Sequence, residues 1–267
     1  MINDPIINTP YCSNCGTEFI DTYCHKCGQK KIELKDRSVK AFVVHFTEEF
    51  FTFDSKFFRS VKYLFSKPGY LTHEYISGRF VRYVSPLKMY LFTSLICFFV
   101  IIKIDPDTYT DLAENSDNDN TFAEIFNDVR VSKNLSENQF RENFNNKVND
   151  LYTPSIFFIM LAFSFILKLI YVNKHIFYAE HLVFTLHFFS IVLIFSAAAT
   201  VLKEMDIDLF NFIVFFLPCI YLLFSVKRVY HTKWIYAVIS AAIMSLIYVV
   251  LIAIWAISVI AIAAYST

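Results

Sequence analysis

Four cysteines are the residues of this sequence best spaced for chemistry. Cys12, Cys15, Cys24 and Cys27 form two C-x2-C pairs, YCSNCG and YCHKCG. A glycine follows each pair, Gly16 and Gly28, and can relieve strain where backbone N–H groups turn toward thiolates. Four thiolates in two knuckles make a closed tetrahedral donor set, the chemistry of a structural Zn2+ site rather than a catalytic one. Two disulfides or a rubredoxin-like iron centre would use the same residues. A reducing cytosolic face disfavours the first, and ligand identity does not separate the second from zinc. Between the knuckles, Thr17–Tyr23 offers only Phe19, Ile20 and Tyr23 for apolar packing, so a metal must carry most of the ribbon's stability. His25 reads as a surface residue, and Cys97 and Cys219 as small hydrophobes in apolar helices.

A second set of chemically capable residues opens a long apolar run, YAEHLVFTLHFFS. Glu180 and His187 lie seven residues apart on one helix face, about 10 Å from each other, too far to ligate one metal unaided. His181 lies on a neighbouring face. In one reading Glu180, His181 and Lys168 sit at headgroup level and pair with one another. In the other, Glu180, His181 and His187 are the catalytic candidates of a metal, proton or substrate site at the end of a helical bundle. His187 lies about one turn deeper, where buried polar groups need partners. The sequence holds no H-E-x-x-H, no G-x-S-x-G and no phosphate-cradling glycine loop.

The elements that position these residues are apolar helices. The chain has 267 residues, 56% of them hydrophobic and 18% aromatic, with only four glycines. Leu87–Ile104 is an 18-residue apolar run with Lys88 and Lys103 at its ends, about 27 Å as a helix. Pro154–Val172, Leu182–Leu202, Leu209–Val226 and Ile235–Ala261 read likewise, with Pro218 kinking the fourth. The fold class expected is an all-α integral membrane protein of five transmembrane helices, with an N-terminal cytoplasmic zinc ribbon and short amphipathic helices. The N-terminus shows no signal peptide, so the first span serves as the insertion signal.

Charge orients the bundle. The 24 basic and 24 acidic side chains cancel, but 13 Lys/Arg precede Tyr90, while Asp105–Asp150 carries four Lys/Arg against 11 Asp/Glu. Lys174, Lys227, Arg228 and Lys233 fall on the side of the basic N-terminal region. The positive-inside rule then places the ribbon in the cytoplasm and the C-terminus outside a bacterial inner membrane. The domains expected are the ribbon at 1–32, a basic amphipathic region at 33–86, the first span at 87–104, an acidic extracytoplasmic loop at 105–152 and a four-helix membrane region at 153–267. Within 33–86, Phe42, Phe46, Phe50 and Phe53 recur at helical spacing, Asp54 is a cap for a second helix, and KPG at Lys67–Gly69 ends it. These helices either form a packed cytosolic domain or lie on the membrane surface, with Lys/Arg toward anionic headgroups. The loop's first half reads as disordered, and Phe122–Val131 and Leu135–Phe144 as short helices.

The ribbon, the segment DSKFFRSVKYLFSKPGYLTHEYISGRFVRYVSPLKMY and the run EHLVFTLHFFS together resemble a bacterial membrane family, domain of unknown function 3667. The resemblance implies Pro68, Gly69, Tyr75, Gly78, Arg79, Arg82, Tyr83, Pro86, Glu180, His181 and His187 as signature residues. It departs at Phe189, where members often carry a histidine in LHFH, and that argues against a histidine-rich metal centre. What the resemblance implies is architecture rather than activity.

Three functions follow. The favoured one is a membrane-anchored zinc-ribbon protein that recruits or senses a cytoplasmic protein partner, with nucleic acid a weaker candidate for the ribbon's lysines. The second is an enzyme acting on a lipid or quinone at the cytoplasmic interface, with His187 as base. The third, a transporter, lacks a polar route and an internal repeat. A homo-oligomer is compatible with all three.

Overall fold

The computed structural model describes residues 9–31, 38–40, 56–104, 128–173, 176–207, 209–210 and 212–266. The aromatic helix expected at Ala41–Phe53, the Asp54 cap, the first half of the acidic loop and Lys174 lie outside them. Among the described residues the chain is all-α, apart from two isolated β-bridges that pair Tyr11 with Glu18 and Tyr23 with Lys30.

Two short helices precede the bundle: α1 (Lys56–Ser66) and α2 (Tyr70–Ile76). In α1, Ser60 and Leu64 are buried, and Ser60 Oγ accepts the Val84 N–H at 3.0 Å. That bond folds the chain after α2 back onto α1. Helix α3 (Pro86–Ile104) starts on a proline, whose missing N–H costs nothing in a first turn.

Helix α4 spans Glu137–Ile170 as one element of 34 residues. The sequence suggested a separate short helix at Leu135–Phe144 and a span beginning at Pro154. The structure joins them, with a bend of 42° between Glu137–Leu151 and Ser155–Ile170. The break falls at Pro154, which has no N–H to give the preceding turn. Ser136 and Gln139 cap the start reciprocally: Ser136 Oγ accepts the Gln139 N–H, and Gln139 Oε1 accepts the Ser136 N–H. What continues the helix is a stripe of Phe140, Phe144, Val148 and Leu151 among asparagines.

The remaining helices are α5 (Tyr178–Glu204), α6 (Leu217–Val229) and α7 (Trp234–Ser266). A π-helical turn, Phe212–Phe216, leads into α6 just before Pro218. There the wider turn accommodates the hydrogen bond that proline cannot make. Helix α7 has 33 residues, about 50 Å, which exceeds a hydrocarbon layer of roughly 30 Å. Its last turns pair with the first half of α4, where Phe144 and Val148 bury against Val259, Ala263 and Ala264. Trp255 Nε1 donates to Ser155 Oγ at 2.8 Å across the same seam.

Tyr178–Glu204, Phe212–Tyr230 and Trp234–Ser266 are long and apolar enough to cross a membrane, and the bent α4 makes a fourth if it counts as one span. The apolar stretch of α3, Pro86–Ile101, is shorter. The protein is therefore an all-α, multi-pass membrane-embedded chain. Helix α5 is its axis: 78% of its apolar window is buried, against 33% and 17% for the other two stretches. A helix apolar on every side belongs in the middle, and α3, α4 and α6 pack around it.

Candidate functional site

The two knuckles are copies of one backbone motif. In the first, the Cys12 N–H donates to Thr17 O and the Gly16 N–H to Cys12 O, both at 2.8 Å. In the second, the Cys24 N–H donates to Gln29 O at 2.9 Å and the Gly28 N–H to Cys24 O at 2.8 Å. Gly16 and Gly28 sit at φ 74 and 73, left-handed conformations that a side chain would strain. The knuckles face each other, so that all four sulfurs lie within 4.8 Å of one another. Cys12 Sγ is 3.6 Å from Cys27 Sγ, and Cys15 Sγ is 3.5 Å from Cys24 Sγ. A tetrahedral ion with metal–sulfur bonds of about 2.3 Å would hold sulfurs about 3.8 Å apart, so the four thiols fit a metal. Without a cation their protons are held unequally. Burial pushes the Cys12 thiol up to about 12, while hydrogen bonding to the Thr17 side chain pulls Cys15 down to about 6.

The motif is docked. Gln29, only 1% exposed, accepts the Phe80 N–H on Oε1 at 3.2 Å, and Arg82 donates to Asn14 O at 3.1 Å. Both contacts land on the segment between α2 and α3. Within that segment Arg79 grips Glu74 through two nitrogens, Nε at 2.7 Å and a terminal nitrogen at 2.5 Å. Glu74 is itself buried in α2, so the ion pair neutralises a carboxylate that would otherwise be costly there.

Helix α2 is a wedge in the end of the bundle. Leu71, Thr72 and Glu74 are buried, and Thr72 Oγ1 lies 3.0 Å from Nδ1 of His187. Its buried side chains are directed at the bundle's own helices. Gly69 sets the approach: it has φ 72, and a methyl group on it would meet Ser225 Cα at 2.8 Å and Ser225 O at 2.9 Å. Arg228 clamps the same turn by donating to Pro68 O.

The three candidate catalytic residues are all buried on α5, but each has a different partner. His187 meets Thr72. His181 Nδ1 is 2.9 Å from the Tyr230 hydroxyl, and the Tyr230 ring stacks on Tyr171 with centroids 3.9 Å apart and planes at 4°. Glu180 accepts the Phe177 N–H at 3.1 Å and so caps its own helix. Lys168, expected to pair at headgroup level, donates to Ile176 O at 2.5 Å. Sequence reasoning missed Thr72, Glu74 and Gln29 as site residues. For Glu74 a signal existed, since an acidic residue in a short apolar helix needs a buried cation, and Arg79 is the nearest one.

The geometry defines a class: a multi-pass helical membrane protein with an N-terminal tetracysteine metal-binding motif docked beside a helix wedged into its bundle. A family model described as a protein of unknown function, DUF3667, matches residues 54–98. That match spans α1, the glycine turn, α2, the segment under the ribbon and the first two thirds of α3. No curated protein and no solved structure matches the chain.

Proposed function

We propose that this chain is a membrane-embedded recruiting or sensing protein. A Zn2+-loaded ribbon, residues 1–32, is the head that meets a cytoplasmic protein partner, and the bundle is both anchor and receiver. The observation that carries the reading is a set of polar contacts that tie the ribbon to α2 and α2 to the bundle, joined by the backbone of that short helix, since Glu74 and Thr72 lie two residues apart on different faces. The contacts run from Gln29 to Phe80, from the adjoining Arg79 to Glu74, and from Thr72 to His187. A mere anchor needs no such ties. The separate partners of Glu180, His181 and His187 support this reading over an interfacial lipid or quinone enzyme.

The proposed topology has five crossings, with α3 as the first, in a bacterial inner membrane. The ribbon is cytoplasmic and the C-terminus extracytoplasmic, as the basic loops favour. Reporter fusions after Asn120 and after Lys174 test it, since the first must report the extracytoplasmic side and the second the cytoplasm.

The coupling is tested by hydrogen exchange on the full-length protein in nanodiscs, with metal bound and after chelation. Metal removal is expected to raise exchange in the ribbon and also across Tyr70–Ile76. Exchange confined to the ribbon would leave the bundle deaf to it and defeat the proposal.

A further inference from the structure

At one end of the bundle, where α4 and α6 finish and α5 and α7 begin, a pocket of about 310 Å3 opens between α2 and the end of α6. Its polar walls are His73, Ser77, Tyr230 and His231, and its apolar walls include Ile76 and Ile176. The two imidazoles meet edge to face, with centroids 5.4 Å apart. His231 holds φ 48, a left-handed conformation uncommon outside glycine and found where a side chain must be aimed against backbone preference.

The charge around this pocket leans positive: at His73, Arg79 and Arg228 stand against Glu74, while Glu180 is the acidic group felt at Tyr230. Glu74 Oε1 lies 3.9 Å from His73 Nδ1, but that carboxylate already holds both nitrogens of Arg79. Arg228 spends a donor on a neutral carbonyl, that of Pro68. Burial first, then the proximity of His231, Arg79 and Arg228, hold His73 below its ordinary value against the opposing carboxylate of Glu74. An anion would relieve this repulsion. The depth suits a lipid: Lys227 lies 5.3 Å from the centre of the Trp234 ring, and Trp, Tyr and Lys gather where headgroups begin. Arg228 also ends a second apolar groove of about 400 Å3 along α6, walled by Phe195, Ile220, Tyr221 and Phe224 and sharing no lining residue with this pocket.

We infer that this pocket binds the phosphate headgroup of an anionic phospholipid. The imidazole N–H groups of His73 and His231 and the hydroxyl of Ser77 donate to the phosphate oxygens, and Ile76 and Ile176 pack on the glycerol backbone. This stands apart from ribbon coupling and survives if that coupling fails.

Native mass spectrometry of the full-length protein, released from nanodiscs of equal phosphatidylglycerol and phosphatidylcholine, tests it. The wild type is expected to retain phosphatidylglycerol over phosphatidylcholine by about tenfold, the ratio that 1.4 kcal/mol produces. His73→Leu with His231→Gly, which removes both ring N–H donors and leaves a residue that tolerates φ 48 at position 231, should lose the preference. So should Ser77→Glu, which places a carboxylate in the pocket at a half-buried position. Lys133→Gln, at the opposite end where its amine meets Tyr265 O, should keep it. Metal content of each variant reports folding. Equal retention of the two lipids by the wild type overturns the inference, as does an undiminished preference in both pocket variants. Displacement of the lipid by excess inorganic phosphate also overturns it, because the pocket would then serve a soluble phosphorylated ligand.

Discussion

Thr72 and His187 are 115 residues apart in the chain, yet their side chains meet at 3.0 Å, both buried. One belongs to a seven-residue helix outside the bundle's long helices, the other to the bundle's central helix. A buried imidazole in an apolar helix is expensive when unpaired, so the short helix supplies what the long one needs.

The pair is testable as a unit. Thr72→Val and His187→Phe should each cost about 1–3 kcal/mol, because each strands a buried polar partner. The double variant should lose less than the sum, since no polar atom is left stranded. Thermal unfolding of the four proteins in one detergent measures this. Strict additivity would show that the two groups do not interact.

Metal loading gives a second prediction. Purified, reduced protein should carry about one metal ion per chain, and Zn2+ is the ion its thiolate set favours. Cys12→Ser or Cys27→Ser should abolish loading and open the ribbon to protease, as read by elemental analysis and limited proteolysis. Full loading in either variant would remove that cysteine from the ligand set.

Gly69→Ala should be severe for its size. The added methyl meets Ser225 backbone atoms at 2.8 and 2.9 Å, at a φ that alanine disfavours, so the wedge must lift by a cost of about 1–3 kcal/mol. Because the clash is with backbone, Ser225→Gly should not rescue it. Protein yield and melting temperature of the single and double variants decide the matter.

Burial and neighbouring cations hold the His73 imidazole below its ordinary value, so the folded chain binds that proton less readily than the unfolded one. Protonation then favours unfolding. The stability this group contributes is complete above about pH 6.5 and declines as the pH falls below it. His73→Gln should flatten the melting-temperature profile between about pH 7.5 and 5.5. A profile identical to that of the wild type would place the pH sensitivity elsewhere.

The metal motif was legible because its information is local: four cysteines and two glycines within one short stretch define both ligands and turns. The α5 run was legible too, including the burial of His187. Its partner was not, because Thr72 carries no mark in the sequence until α2 is seated against α5. Helix α4 shows a different limit. Phe140, Phe144 and Val148 already carry helical spacing, yet the asparagines between them read as loop, and the residues they pack on, Val259 and Ala263, lie at the far end of the chain. The count of crossings suffers similarly, since α3 falls short on length while packing along α5 like its longer neighbours.

The clamp between Pro68 and Arg228 joins residues 160 positions apart, and this sets a schedule for biogenesis. At a ribosomal rate of about 5–20 residues per second, α2 waits roughly 8–30 s for the helix that shelters it. Until α5 brings His187, 115 residues after Thr72, Glu74, Leu71 and Thr72 have no bundle to enter, while α3 beside them is already being handed to the translocon. The nascent ribbon, whose four cysteines are complete within the first thirty or so residues made, can take its metal long before α6 emerges to close the clamp.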